Sequence, residues 1–306
     1  MEKVLVTGAA GFLAGHVIKE LNNRGYEVIP FDNYTDKRQD VRDYKAVKTM
    51  MSDVDYVCHL AASPYIPYGY DAPQQFFETN ANGTLNILQA AVDTDIRVLY
   101  WSTSEVYGTS QHPDKPMDES HPLNPHSTYA ASKLAGDRLC YTFHKEHDVD
   151  VTIMRMFNNY GPDETWPYVI PEIIDQLSNG TTLHLGNINA MRDFTYAGDG
   201  ARASVDVMEC TMLTGQVVNV GSGITYSVKY LADLLAEIMR PGELVNIVTD
   251  KWRLRPHDVD RLLCNPGKLE FFTGWKPSTD IRKGLEKTVE WFYKNGEKWN
   301  YRGKPK

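Results

Sequence analysis

The sequence predicts an α/β protein: a doubly wound parallel sheet with a smaller C-terminal α/β unit. Three observations carry that expectation. Apolar strand-like runs alternate with amphipathic helix-like runs through the first half of the chain. The first strand passes straight into a glycine turn and then a helix, in Val4-Leu5-Val6-Thr7-Gly8-Ala9-Ala10-Gly11-Phe12-Leu13-Ala14-Gly15. Later strands, at Asp55 to Leu60, Arg97 to Ser102 and Val151 to Phe157, are separated by stretches long enough to hold crossover helices. Such alternation gives a parallel sheet with helices on both faces and right-handed crossovers. Ligands then sit at the C-terminal ends of the strands.

The opening turn has the form of a dinucleotide-binding, Rossmann-type unit. Gly8 permits the tight turn, Gly11 lets the backbone approach a phosphate, and Ala14 is small enough for helix–strand packing. The N–H groups of Phe12 and Leu13 open the helix, where its dipole favours a pyrophosphate. That helix carries Leu13, Val17, Ile18 and Leu21 on one face and stops at Arg24-Gly25. Tyr26 to Phe31 reads as the second strand, with Asp32 at its end. An acid about twenty residues past the glycines accepts hydrogen bonds from ribose hydroxyls and repels a 2′-phosphate. The following residue is Asn33, not an arginine, so the expected cofactor is NAD and not NADP.

One crossover is too short. Only seven polar-dominated residues separate Asp32 from the next turn signal at Asp40-Val41-Arg42-Asp43, whereas a parallel return needs a dozen or more. The usual third strand and its helix should be missing or reduced to a loop. Asp40 and Val41 would then border an adenine that is more exposed than usual.

The remaining elements follow from periodicity and turn residues. Pro73 to Asp93 and Pro125 to His147 read as long helices. Past Pro162 come helices at Pro167 to Asn179, Gly198 to Cys210 (with Asp199 as N-cap), Ser227 to Met239, Pro266 to Phe272 and Ile281 to Lys294. Short strands are expected at Thr182 to Leu185 and Val217 to Val220. The division expected is a dinucleotide-binding domain over 1–165, with a returning segment around 190–222, and a mainly substrate-binding domain over 166–306.

Composition narrows the class. An apolar fraction of 42% and a charged fraction of 24% suit an ordinary soluble domain. A net charge of −8 argues against nucleic acid as a main partner, although a nucleotide ligand remains compatible with local arginines and backbone amides. A strand that begins at Lys3 leaves no room for a signal peptide, and no apolar run approaches spanning length. Cys58, Cys140, Cys210 and Cys264 are dispersed, with neither metal-ligand nor disulfide spacing. A cytoplasmic protein without a metal is expected.

The chemistry concentrates downstream of the fourth strand. Val98 to Trp101 leads into Ser102-Thr103-Ser104-Glu105-Val106-Tyr107-Gly108, and a later helix carries Ser127-Thr128-Tyr129-Ala130-Ala131-Ser132-Lys133. Spacing of four puts Tyr129 and Lys133 on one helix face. There the ammonium can lower the phenol pKa and ready Tyr129 to take a proton from a substrate hydroxyl. Tyr44 and Lys48 share the spacing but lie too early in the chain to reach the strand ends.

Together these residues resemble the extended short-chain dehydrogenase/reductase family over nearly the whole chain. The matching stretches include TGAAGFLAG, FDN, DVRD, HLAA, TNANGTLNIL, STSEVYG, YAASK, RMFNNYGP, RDFTYAGD and RLRPHDVDR. The resemblance implies a nucleotide-sugar substrate oxidised at C4 by bound NAD. It implies Thr103, Tyr129 and Lys133 as the catalytic core, and Asn158, Arg192 and Arg255 as holders of the substrate diphosphate. It adds Leu60, Ala61, Ala62, Asn80 and Ser102, with Tyr129 and Lys133, to the cofactor's surroundings. Within the family, dehydratases usually carry Thr-Asp-Glu at the strand end. Thr103-Ser104-Glu105 is the variant seen in GDP-mannose 4,6-dehydratases, UDP-glucuronate decarboxylases and dehydratases of GDP- or UDP-N-acetylglucosamine. Asp163-Glu164 departs from relatives, which often have a basic residue there. The expected activity is therefore a 4,6-dehydratase, with Ser104 and Glu105 joining the catalytic set. A 4-epimerase and a decarboxylase are the neighbouring readings, and a non-catalytic NAD-sensing module is a remote one. By the same resemblance, the two long helices imply a homodimer through a four-helix bundle, with Leu85, Leu88 and Leu139 taking part.

Overall fold

The computed structural model describes residues 1–110, 112, 115–164, 167–254 and 258–295. In chain order the first half contains β1 (Lys3–Thr7), α1 (Phe12–Asn23), β2 (Glu27–Phe31), α2 (Tyr44–Met50), β3 (Tyr56–His59), α3 (Tyr68–Asp71), α4 (Pro73–Phe77), α5 (Gly83–Ala91), β4 (Arg97–Thr103), α6 (Thr128–His147) and β5 (Val151–Met156). The second half adds β6 (Asn158–Tyr160), α7 (Val169–Asn179), β7 (Thr182–Leu185), β8 (Met191–Tyr196), α8 (Ala197–Glu209), β9 (Val217–Val220), β10 (Thr225–Ser227), α9 (Val228–Met239), β11 (Asn246–Thr249), β12 (Arg261–Leu262), α10 (Gly267–Thr273) and α11 (Ile281–Asn295).

Six strands form one parallel sheet in the order β2-β1-β3-β4-β5-β9. Among the described residues no strand forms between β2 and β3, so β3 pairs with β1 and β2 is left at the edge. The shortened crossover keeps one helix, α2, which Asp43 caps by accepting from the backbone of Lys45 and Ala46. Successive residues along the strands serve opposite faces of the sheet. Val4 and Val6 pack with Ala14, Val17 and Leu21 of α1 and with Ala201, Val205 and Met208 of α8. Leu5 packs with Val47, Ile87, Leu88 and Cys140 from α2, α5 and α6.

The C-terminal half builds a second core around β6, β8, β10 and β12 and the β7–β11 pair, with Ile170, Ile174, Leu231, Leu235, Ile281 and Leu285 inside. The chain returns to the main sheet through α8, which packs on α1, and β9, which pairs with β5. Asp193 of β8 ties the two parts. Its buried carboxylate accepts from the backbone of Ser222 (2.7 Å), Gly223 (2.8 Å) and Cys264 (3.2 Å) and from Ser222 Oγ (2.6 Å).

Three local expectations are corrected. The stretch Pro73–Asp93 is not one regular α-helix: Glu78–Asn82 forms a π turn between α4 and α5, and Asp93 already has φ 58°. The helix expected from Pro125 starts at Thr128, because Ser127 accepts from Ala130 N and caps it there. Asp199 is not the cap of α8, whose capping residue is Tyr196. Asp199 lies in the first turn and pins the following segment, accepting from Ser278 Oγ (2.6 Å) and Thr279 N (2.9 Å).

The seating of α6 on β4 depends on Gly136. A Cβ at that position would stand 2.4 Å from Tyr100 Oη and 3.0 Å from the Asn80 carbonyl oxygen. Tyr100 is fully buried and its hydroxyl donates to the Lys133 carbonyl (3.0 Å), so it cannot yield. Gly136→Ala should therefore destabilise the protein by about 1–3 kcal/mol, the usual cost of overpacking. Denaturant unfolding with a midpoint equal to wild type would show that the helix shifts freely.

Candidate active site

The strand ends assemble the residues that the sequence singles out. Gly8 follows β1 with φ +70°, and a Cβ there would meet Ala61 Cα and N at 2.8 Å. The turn is thus pressed against Leu60-Ala61-Ala62 at the end of β3, where Thr7 Oγ1 accepts from Ala61 N (3.1 Å) and the Thr7 carbonyl from Leu60 N (3.2 Å). Gly11 precedes α1 and offers no side-chain cap to the N–H groups of the first turn, those of Phe12 and Leu13 among them. Asp32 accepts from Ala10 N (3.0 Å) and Tyr34 N (2.7 Å), fixing its carboxylate beside the glycine turn.

Past Asp32 the surface opens. Asn33 Nδ2 donates to Asp40 (3.3 Å), and Asp40 pairs with Arg42 (2.6 Å), which holds its carboxyl down at about 2. Lys37, Asp40, Arg42, Asp43, Glu78 and Asn82 line a shallow polar hollow of ≈550 Å³ there. Val41 is buried against Gly83, where a Cβ would stand 2.8 Å from Val41 Cγ2. Asn80 lies in the π turn and joins two elements. Its Oδ1 accepts from Ser63 N (2.7 Å), and its Nδ2 donates to the Ser63 carbonyl (3.2 Å) and Ser132 Oγ (2.9 Å). A π turn inserts one residue, which aims this side chain between the loop after β3 and α6.

At the centre, the Thr103 hydroxyl favours the ionised form of the Tyr129 phenol and the Glu105 charge opposes it. Thr103 Oγ1 accepts from Glu105 N (3.2 Å), which ties β4 to the 3₁₀ turn Ser104–Tyr107. Ser104 is buried at the start of that turn. Lys133 is buried, with Nζ 4.3 Å from the centre of the Tyr100 ring. Burial opposes charge on both partners of the Tyr129–Lys133 pair: it pushes the phenol up to about 12 and the ammonium down to about 7. His59, between Thr7 Oγ1 (2.8 Å) and Thr84 Oγ1 (3.0 Å), is held down to about 3 by burial and by Lys133, and stays neutral.

The expected diphosphate holders are less concentrated. Arg192 is buried and oriented by Asp258 (3.1 Å), which Asn187 also contacts (3.2 Å). Asn158 Oδ1 is buried without a hydrogen-bond partner among the described residues. Arg255 lies outside the described residues. Sequence reasoning missed Tyr100, Gly136, Asp137, Asp258 and the role of Arg155. Only Asp137 carried a local signal, four residues past Lys133 on the same helix face. Among the described residues no group of His, Cys, Asp or Glu is arranged to hold a metal ion, and no helix is long and apolar enough to cross a membrane. The four cysteines are free thiols.

A glycine turn at the head of a parallel sheet, an acid after the second strand and a Thr–Tyr–Lys cluster at the fourth define a dinucleotide-dependent α/β enzyme. Residues 4–221 match the NAD dependent epimerase/dehydratase family, and the chain belongs to that family. A dTDP-glucose 4,6-dehydratase from Streptomyces antibioticus is 30% identical over 97% of this chain and 94% of its own length. Among solved structures, DesIV, a dTDP-glucose 4,6-dehydratase from Streptomyces venezuelae with NAD and TYD bound, superposes with a TM-score of 0.88. It is 30% identical and covers 97% of this chain and 99% of its own. The UDP-glucose 4-epimerase of Thermus thermophilus in complex with NAD has a TM-score of 0.85 at 28% identity, covering 95% of this chain and 99% of its own. The cofactor is NAD, and the site fits it: the cradle at Gly8 is one that a Cβ would fill, and Asp32 presents a carboxylate beside it.

The depressed ammonium gives a stability test. Unfolded Lys133 titrates near 10.5 and folded Lys133 at about 7, so the native state binds fewer protons between those values. Wild-type stability should rise with pH across this window relative to Lys133→Met. The advantage of the methionine variant should grow as pH falls from 10.5 to about 7 and stay level below that. A difference in unfolding free energy that does not vary with pH would mean that Lys133 keeps an ordinary pKa.

Proposed function

We propose that this protein is an NAD-dependent nucleotide-sugar 4,6-dehydratase. The observation that carries the reading is Glu105, a carboxylate whose backbone is bonded to Thr103 and whose charge is felt by Tyr129. A 4-epimerase has no use for a second base at that position, whereas a dehydratase must remove a proton from C5.

When bound, NAD supplies reversible two-electron chemistry, so the sugar is oxidised at C4 and later reduced at C6 without net consumption of cofactor. Tyr129 as phenolate takes the proton from O4, and Thr103 holds the phenol and the sugar oxygen in register. Lys133 as ammonium favours the phenolate over the phenol. The C4 ketone acidifies C5–H, and Glu105 removes that proton. The C6 hydroxyl takes up the proton that Tyr129 removed from O4 and leaves as water, steadied by the Ser104 hydroxyl, and Tyr129 is left as the phenolate again. Glu105 then returns its proton to C5 as C6 is reduced. Arg192, aimed by Asp258, and Arg255 would hold the diphosphate through their forked donors, with Asn158 beside them.

Two variants test this against a panel of nucleotide sugars with product masses as readout. With the true substrate, Glu105→Gln should lower water elimination by roughly 10²–10⁴-fold, the contribution of a positioned base. Oxidised sugar and reduced cofactor should build up on the enzyme, visible in the near-ultraviolet. Tyr129→Phe should stop the first oxidation and show no reduced cofactor. Wild-type turnover by Glu105→Gln, or a product of unchanged mass, would put the epimerase reading in first place. Loss of carbon dioxide would make the protein a decarboxylase.

We also infer a homodimer through α4, α5 and α6. Phe77 and Tyr141 are 42% and 44% exposed on helices that pack side by side, large ring surfaces that a partner would cover. Of the leucines expected there, Leu88 belongs wholly to the subunit core, and Leu139 is half-buried against that core. Light scattering at micromolar concentration should return about twice the 34.7 kDa chain mass, and a monomer mass would overturn the inference.

A further inference from the structure

We propose that Asp137 is a positioning residue for the reaction, fastening the helix that carries Tyr129 and Lys133 to the strand ends and keeping Lys133 in its charged form. The proposal rests on the reading of Tyr129 and Lys133 as the acid–base pair, not on which sugar product is formed.

Asp137 has no exposed surface and lies one helical turn past Lys133. Its Oδ2 accepts from Ser102 Oγ (2.9 Å) and Arg155 Nε (2.9 Å). Its Oδ1 accepts from Arg155 Nη2 (3.1 Å) and from the Arg138 guanidinium. Ser102 immediately precedes Thr103, so the carboxylate grips β4 at the residue beside the reacting hydroxyl. The buried Arg155 of β5 carries the network onward. It donates to Tyr107 Oη (3.0 Å), which closes the 3₁₀ turn containing Glu105, and Tyr107 donates to Asn219 Oδ1 of β9 (2.7 Å). Asn219 Nδ2 in turn donates to the Met117 carbonyl (3.0 Å), which also accepts from Asn265 N (2.9 Å). A single buried polar chain thus runs from the catalytic helix through three strands of the main sheet to the C-terminal half.

A buried ion pair of this kind adds little stability by itself, since apolar residues of similar volume usually serve as well. Its location suits an electrostatic task. The groups facing Lys133 are Cys140 and Asp137 on its own helix, the Tyr100 ring on β4 and His59 on β3, with Tyr129 one helical turn earlier. Glu105 acts on Tyr129, and both Arg155 and Arg138 are paired with Asp137. His59 is neutral, and the Cys140 thiol is pushed well above its ordinary value by burial. Asp137 is left as the negative charge that offsets the desolvation of Lys133.

The test is the pH profile of kcat/KM for NAD-loaded enzyme with the nucleotide sugar that it turns over. In Asp137→Asn the alkaline limb, where Lys133 loses its proton, should move to lower pH by about one unit, a tenfold change in proton affinity. If Asp137→Asn does not fold because Arg155 is left unpaired, Asp137→Asn/Arg155→Met removes both charges, and a smaller displacement in the same direction is expected, because the opposing positive charge goes with the carboxylate. A second readout needs no turnover: the pH window of the stability difference between Lys133 and Lys133→Met should have its lower edge at lower pH in the Asp137→Asn background. Loss of rate or stability with both the limb and the window unmoved would make Asp137 merely structural and overturn the proposal. If Lys133→Met itself retains the alkaline limb, the acid–base reading of Tyr129 and Lys133 fails instead.

Discussion

The contact between α6 and β4 is the constraint from which the rest of the site follows. Helices normally rest on a sheet at a distance set by their side chains. Here Gly136 removes one, and the Tyr100 hydroxyl reaches the Lys133 carbonyl directly. That approach brings the Tyr129 phenol to the Thr103 hydroxyl and lays Lys133 over the Tyr100 ring. Asp137 reaches Ser102 on the same strand one turn later. Neither a shorter phenol nor a longer strand would restore these contacts if the helix stood off, because all of them lie along one helix face and share one spacing.

The same closeness sets up an electrostatic opposition. Excluding water raises the phenol and lowers the ammonium, so burial alone would leave a neutral pair unable to move a proton. The arrangement meets this with fixed charge instead of solvent. Asp137 faces Lys133, the Thr103 hydroxyl favours the ionised phenol, and the aromatic face of Tyr100 attracts the ammonium. Preorganised groups of this sort need no reorientation during the reaction, which is how a dry site can still stabilise developing charge.

What was legible in the sequence was what depends on local spacing. Gly8 needs only its own positive φ and the strand before it, and Asp32 needs only the end of the next strand. Tyr129 and Lys133 need one helical turn. The missing third strand was legible from arithmetic, since the residues after Asp32 are too few for a crossover. The Asp137–Arg155 pair was not legible, because it requires β5 to lie beside β4 and joins residues 18 apart on different elements. The π turn at Glu78–Asn82 was equally hidden. Its sequence reads as ordinary helix, and only the demand that Asn80 reach both Ser63 and Ser132 makes the extra residue useful.

The two halves of the chain are joined by an apolar cluster that includes Val106, Phe157, Val259 and Leu262, and also by directional polar ties. Asp193 grips the turn after β9 and the Cys264 backbone, while Met117 bonds to Leu263 and Asn265 across the same seam. These bonds are directional, so they fix the register between β8, which carries Arg192, and the strand end that carries Thr103. On the proposed reading, in which Arg192 holds the diphosphate and Thr103 meets the sugar ring, these ties keep the two at a set separation. Apolar packing tolerates sliding by a fraction of an ångström, whereas a carboxylate with four donors does not. Since misplacement by about one ångström is enough to cost a large part of a rate, a seam fixed by hydrogen bonds suits the proposed 4,6-dehydration, in which the reacting atoms would move from C4 to C6 of one ring.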